Sequence, residues 1–270
     1  MVPPMDAMLA PPVNTATEGR IARLTLDRAA SRNLLTLEMM AALSDALDAA
    51  GQSGARVIVI AAEGPAFSAG HDMKAMAAHH GDADGGRAHF AALFERCSAL
   101  MTKIATVPQP VIAEVHAVAV AAGCQLVAAA DLAVAADTAT FGTTGVRFGL
   151  HCTTPAVPLT RTVAAKHAAE LLFTGDVVDA THALRIGLVN RVVPAATLRA
   201  ETMALAARIA EKSAAVLALG KRAVRAQMDL PLADAYRAAS AAMVENLLLA
   251  DGREGLAAFA GKRPAVWQDA

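Results

Sequence analysis

The sequence predicts an α/β fold built on a largely parallel sheet and followed by a helical C-terminal region. Two observations predict it. Short β-branched runs at residues 57–60, 111–115 and 132–135 alternate with helical stretches, and such alternation implies crossovers between parallel strands. From about Thr162 onward, helical spacing follows helical spacing with no strand-like run between.

The elements follow in order. Residues 20–27 (RIARLTLD) alternate, with Ala22, Leu24 and Leu26 on one face and Arg23, Thr25 and Asp27 on the other, which predicts a half-buried strand. Thr36 has the chemistry of an N-cap. Leu37, Met40, Leu43, Leu47 and Ala50 follow at helical spacing, and Gly51 is the expected stop. The runs 57–60, 111–115 (after Pro108 and Pro110) and 132–135 suit strands buried on both faces. Helices are predicted over 162–173, 180–186, 198–212, 214–228 and 232–249, with a short one after Asp251. The implied organisation is a flexible lead over 1–19, an α/β core over 20–195 and a helical region over 196–270. The lead has no positive charge before Arg20 and no continuous apolar segment, so it matches neither a secretory signal nor a transit peptide.

Composition narrows the function. Of 270 residues, 55% are hydrophobic but only 3% aromatic, so the core is built from Ala, Val, Leu and Met. A net charge of -1 gives no reason to expect nucleic acid or an anionic membrane as partner. The longest near-apolar stretch, 117–130, is interrupted by Gln125 and is too short to span a bilayer. The three cysteines, Cys97, Cys124 and Cys152, show no CxxC spacing. That argues against disulfides and structural zinc and for a reducing cytoplasm. No metal and no cofactor is expected.

Two loops carry the candidate chemistry. Residues 63–76 (EGPAFSAGHDMKAM) leave a strand and enter a helix near His71, with Gly70 permitting a tight turn. Residues 115–131 (VHAVAVAAGCQLVAAAD) leave the next strand and enter a helix near Ala121. Ala121, Ala122 and Gly123 have almost no side chain, so a ligand can approach their backbone. N–H groups at a helix start have no intrahelical partner and favour an oxygen that gains negative charge. The N–H groups of His71 and Ala122 are the candidate pair. Glycine-rich βα loops are also common without any such role, and pattern alone leaves both readings open.

FSAGHDMKAM, then HAVAVAAGCQLVAAADLAVA, then FTGDVVDATHALRIGLVNRVVP resemble the ordered signature of the crotonase superfamily, typified by enoyl-CoA hydratase. The resemblance runs from about Arg20 to Trp267. It implies a spiral of ββα units with a helical C-terminal trimerisation region. It also implies a homotrimer or dimer of trimers and an acyl-CoA ligand, with hydration of 2-enoyl-CoA as the nominal reaction. It assigns the oxyanion donors to His71 and Ala122. It places Ala69 and Asp72 at the coenzyme A entrance. Basic residues near Lys221–Arg222 and Lys262–Arg263 meet the phosphates, or are ordinary solvated cations.

The chain departs from the hydratases at two positions. Their two glutamates correspond to Gln125 and Gly145. An amide cannot take a proton from water, and glycine has no side chain. From Thr138 to Ala169 there is no Asp or Glu, and the position near Thr153, where related isomerases carry an acid, is neutral as well. HCTTP after Gly149 and the C-terminal GKRPAVW resemble a hydratase-like subgroup without either glutamate, and hydration is expected to be weak or absent. The same hole can serve hydrolysis or decarboxylation of another thioester, or a CoA-ester binder without catalysis.

Several polar residues have two readings each. His71 is an acid–base group, or only its backbone matters and its ring faces solvent. His151 and Cys152 line the acyl pocket, either as a thioester-cleaving pair or as packing. Thr143 and Thr144 orient a water or cap a turn. Ser68 in AFSAG lacks the first glycine of a nucleophile elbow and is read as accidental. His79, His80, Asp82 and Asp84 are read as a mobile, solvated loop rather than a metal site.

Overall fold

The computed structural model describes residues 10–270. β1 (Val13–Glu18) and β2 (Ile21–Leu26) pair antiparallel, with Val13 opposite Leu26 and Glu18 opposite Ile21. Within the expected flexible lead, residues 1–9 lie outside the described residues, whereas residues 13–18 form an edge strand. Only Val13 of that strand is buried, so its polar VNTATE segment shows no hydrophobic alternation to read.

One sheet continues in the order β1, β2, β3 (Val57–Ala62), β5 (Val111–Val115), β7 (Leu132–Ala136) and β10 (Arg191–Val193). It is parallel from β2 onward. Every residue of β3 and β5 is buried, as their β-branched runs require. β2 departs from the half-buried expectation, because its second face is covered too. There Arg23 donates to Glu114 at 2.6 Å and to the Thr25 hydroxyl at 2.9 Å, so the polar residues of the alternation are paired rather than solvated.

A second sheet comprises β4 (Ala66–Ser68), β6 (Val118–Val120), β8 (Thr140–Gly142) and β9 (Val177–Asp179). The first three are parallel, and β9 returns antiparallel on β8. These strands are three residues each, too short for a period to show in sequence.

Helix α1 (Leu37–Gln52) begins as expected, the Thr36 hydroxyl accepting from the Met39 N–H at 3.1 Å. It runs through Gly51, and the positive φ that ends such helices falls on Gly54, at +75°. Next come α2 (Met73–His79), α3 (Arg87–Thr106), which packs on α1, and α4 (Ala122–Ala129), buried along its whole length. The helix expected over 162–173 is α6 (Ala165–Thr174), starting three residues later because Val163 is extended, and an unpredicted helix, α5 (Thr153–Thr162), precedes it. α7 (Ala180–Arg185) precedes α8 (Leu198–Ala210), which packs against β2, β3, β5 and β7. α9 (Ala214–Gln227), α10 (Leu232–Leu248) and α11 (Ala250–Ala260) form the predicted helical C-terminal region.

The chain's last residues fold back onto the core. The Asp269 carboxylate accepts from Arg56 and Arg20 at 2.8 Å each and from the Ala214 N–H at 2.8 Å. Buried Asp251 accepts from the Gln268 and Asp269 N–H groups. Arg263 grips Glu254 through two bonds, and with the Val266 N–H this holds the Glu254 carboxyl at about 2.

Candidate active site

The candidate site forms where β4 and β6 lie side by side and each turns toward a helix. Asn33 organises the first turn. It is fully buried at φ +51°, a region asparagine tolerates. Its side-chain amide donates to the carbonyls of Glu63 and Ala66 at 2.8 Å each. Its own carbonyl accepts from the Ser68 hydroxyl at 2.8 Å, and Ser68 Oγ in turn accepts from the Gly70 N–H at 3.3 Å. Ser68 is thus a buried tether for the loop rather than a nucleophile. Asn33 was not singled out in the sequence; an asparagine just before a capped helix is the signal that was there to use.

The helix after this turn starts later than expected. Asp72 is the N-cap of α2, its carboxylate accepting from Lys74 and Ala75 N–H, so the His71 N–H lies one residue before the cap rather than inside the first turn. It is Gly70, at φ +88°, that aims the chain. A Cβ on Gly70 would stand 2.9 Å from the Ala121 methyl and 3.2 Å from the Ala122 nitrogen. The residue preceding His71 therefore abuts the Ala122 amide, and the two loops meet backbone to backbone. A Cβ on Gly123 would overlap the Ser68 carbonyl, so glycine is needed for α4 to sit against β4. Neither the His71 nor the Ala122 N–H donates to another group among the described residues. Ala121 reaches this crossing with φ +49° and ψ -121°, a strained conformation for a residue with a Cβ.

The side chains around the crossing are mostly neutral. His71 Nδ1 lies 2.9 Å from the Leu35 carbonyl, which can only accept, so Nδ1 carries the proton. Nε2 is buried and has no partner among the described residues. Burial pushes this imidazole below its ordinary range, opposed by the Leu35 bond. The ring stands edge-on to Phe94 at 5.7 Å and does not face solvent. Gln125 is buried, with Cys97 Sγ 3.6 Å from its Oε1. Burial raises the Cys97 thiol to about 11.

Gly145 lies in the turn over 144–148. A Cβ there would overlap the Leu150 carbonyl and stand 2.8 Å from Cys152 Sγ. Cys152 Sγ accepts from the Gly145 N–H at 3.3 Å, and burial pushes its thiol up. His151 is not directed at Cys152: its Nδ1 lies 3.3 Å from Thr153 Oγ1 and its ring packs near Phe173. A Cys–His pair is therefore not assembled. The Thr143 hydroxyl is buried and makes no capping bond among the described residues.

The proposed coenzyme A contacts divide. Ala69 donates to the Arg32 carbonyl, and Asp72 spends one oxygen on its cap. The Lys221 ammonium is buried and holds the carbonyls of Ile104 (3.1 Å) and Gln109 (2.9 Å) and the Asp131 carboxylate (2.6 Å). Its three N–H donors are spent, so a phosphate role for Lys221 is corrected to a structural one. Arg222 pairs with Glu245 and Arg263 with Glu254. Lys262 is exposed and in no ion pair among the described residues. In the loop after α2, the Asp84 carboxylate accepts from the Gly86 and Ala88 N–H groups at 2.9 Å each, and Asp82 lies 2.7 Å from His79 Nδ1. No helix among the described residues is long and apolar enough to cross a membrane.

Comparison with known proteins bears on this geometry. The enoyl-CoA hydratase/isomerase family model matches residues 16–270. The mouse protein named enoyl-CoA hydratase domain-containing protein 3, mitochondrial, is 46% identical over 255 residues, covering 94% of this chain and 83% of its own. The crystal structure of the human protein of that name superposes with a TM-score of 0.89 at 44% identity, covering 95% of this chain and 100% of its own. An enoyl-CoA hydratase from Mycobacterium smegmatis superposes with a TM-score of 0.90 at 40% identity, covering 95% and 99%. The mouse, frog and human relatives are named mitochondrial, which overturns the cytoplasmic location expected from cysteine usage. Unpaired thiols report a reducing environment and do not distinguish compartments that share one. With its whole core matched in sequence and in fold, the chain belongs to the enoyl-CoA hydratase/isomerase family.

Proposed function

We propose that this protein binds an acyl-CoA thioester, gripping its carbonyl oxygen with the N–H groups of His71 and Ala122, and that it hydrates 2-enoyl-CoA weakly or not at all. The observation that supports the reading is the approach of Gly70, the residue before His71, to the Ala122 nitrogen, with neither the His71 nor the Ala122 N–H donating elsewhere among the described residues. The missing chemistry follows from Gln125 and Gly145. General acid–base groups contribute about 10²–10⁴-fold each, and no carboxyl replaces them nearby in the sequence. The proposal includes no cofactor besides the thioester. Lys262 and Asp72 are the remaining polar residues for the coenzyme. Leu232, Tyr236, Leu248, Leu256 and Phe259 expose a broad apolar surface on the C-terminal helices; it supports burial in a homotrimer or dimer of trimers.

The test is to mix the protein with crotonyl-CoA and a panel of other CoA esters, following thermal shift and turnover together. A raised Tm with hydration reduced by at least about 10²-fold relative to an ordinary hydratase is expected. Rapid hydration would overturn the carboxylate argument, and no shift with any ester would overturn binding.

One observation favours a second reading. The unpartnered Nε2 of His71 is a neutral base beside the hole, suited to hydrolysis or decarboxylation of another thioester. Turnover of a malonyl-type ester that is lost in His71→Gln, while the ester still raises Tm, would favour it.

A further inference from the structure

Away from that crossing, His167 and Glu170 lie one helical turn apart on α6, and His182 faces them from α7. One nitrogen from each histidine and one Glu170 oxygen lie within 4.8 Å of one another. His167 Nδ1 is 4.0 Å from Glu170 Oε2, and the two imidazole rings stand nearly perpendicular at 6.4 Å. From these positions we propose that His167, Glu170 and His182 form a binding site for a divalent transition metal of the zinc type.

Two imidazoles and a carboxylate are borderline nitrogen and oxygen ligands of the kind zinc takes with a fourth position open. Metal–ligand bonds of about 2.0–2.2 Å place neighbouring ligand atoms roughly 3.4 Å apart. The three atoms need to close by little more than an ångström, through rotation of the exposed Glu170 side chain and small turns of the two half-buried imidazoles. The backbone beneath is fixed, since the Asp179 carboxylate caps α7 through the His182 N–H at 2.7 Å. Glu170 and His182 also line a cavity of about 380 Å³ with Arg147, Thr174 and Asp176, so the fourth position opens into a space that admits water or a small anion.

Arg185 opposes the ion. Its Nη2 donates to His182 Nδ1 at 2.8 Å, so the guanidinium must leave either to free that lone pair for the ion or, with Nε2 as ligand, to let Nδ1 take the ring proton. Once bound, the ion ties α6 to α7. Because α6 packs against the turn over 144–148 that contains Gly145, the tie braces one wall of the candidate acyl pocket.

The test uses untagged full-length protein stripped with chelator and titrated with zinc chloride by calorimetry. About one ion per chain is expected, with affinity reduced about 10–100-fold or more in Glu170→Gln and His182→Ala. His167→Ala serves as a second variant should His182→Ala fold poorly. Arg185→Gln should tighten binding by removing the competitor. His89→Ala, in the separate His79–His89 stack, should leave binding unchanged. Cobalt(II) in place of zinc should give a visible spectrum without thiolate charge transfer. No saturable uptake, undiminished uptake in Glu170→Gln and His182→Ala, or a thiolate band from the buried cysteines would each overturn the proposal.

Discussion

The two halves of the candidate site are built from different materials. The half between Ser68 and His71 on one side and Val120 and Gly123 on the other is made of main chain. The half around Gln125 and the turn over 144–152 is where side chains would have to act. The first needs only small residues at Gly70, Ala122 and Gly123, and the chain retains them. The second, in the proposed reading, would need carboxylates at positions 125 and 145 for hydration, where this chain has Gln125 and Gly145. The difference teaches that a backbone-made subsite tolerates any side-chain change that leaves room for the crossing. A side-chain-made subsite is lost with one substitution, and at Gly145 a side chain would meet the Leu150 carbonyl and Cys152 Sγ.

The largest effect should come from blocking the main-chain half. Gly70→Val would press a branched side chain onto the Ala121 methyl and Ala122 nitrogen, at a φ of +88° that valine avoids. Thioester binding should fall below detection by calorimetry, and retained binding would break the comparison at once. On the other half, Gln125→Glu combined with Gly145→Glu should fail to create a hydratase. The second glutamate's Cβ overlaps the Leu150 carbonyl, and overpacking of this kind costs about 1–3 kcal/mol in denaturant unfolding. Robust hydration by the double variant would show that the turn yields easily. Lys221→Met should lower stability by about 1–3 kcal/mol, because it leaves Asp131 and two carbonyls without their shared donor, while thioester affinity stays unchanged. A loss of affinity at unchanged stability would return Lys221 to the coenzyme site.

Ala121→Gly should raise stability by about 1 kcal/mol, strain relief outweighing the entropy of an added glycine. Destabilisation would mean that the Ala121 methyl packs more than it strains. The smallest effect concerns pH. Glu254, held at about 2 by Arg263 and the Val266 N–H against an ordinary 4.5, stabilises the fold above that ordinary value. The contribution fades as pH falls from about 4.5 toward 2, the unfolded chain binding its proton first. Glu254→Gln should flatten acid unfolding in that window alone.

Much of this was legible in sequence. β5 spans the residues its β-branched run predicted, and Thr36 caps α1 as its hydroxyl suggested. The loops holding His71 and Ala122 were found because glycine and alanine runs mark close backbone approach. What was missed has physical causes. Three-residue strands such as β4 and β6 carry no period. Helix α2 begins after Asp72 because a carboxylate cap outranks the preceding glycine turn, and aspartate at that position was a cap signal passed over. Lys221 was misassigned because its partners Ile104, Gln109 and Asp131 lie about ninety residues or more away in sequence. His167, Glu170 and His182 went unnoticed since their meeting depends on how α6 and α7 are folded together.

The returning C-terminus has a consequence for assembly. One carboxylate, that of Asp269, joins the start of β2 and the approach to β3 to the first turn of α9, so swivelling α9 against the sheet would break those bonds. Any packing of subunits through those helices would fix where each ligand mouth points. If the proposed trimer packs through those helices, removing Asp269 would reach the pocket through quaternary alignment.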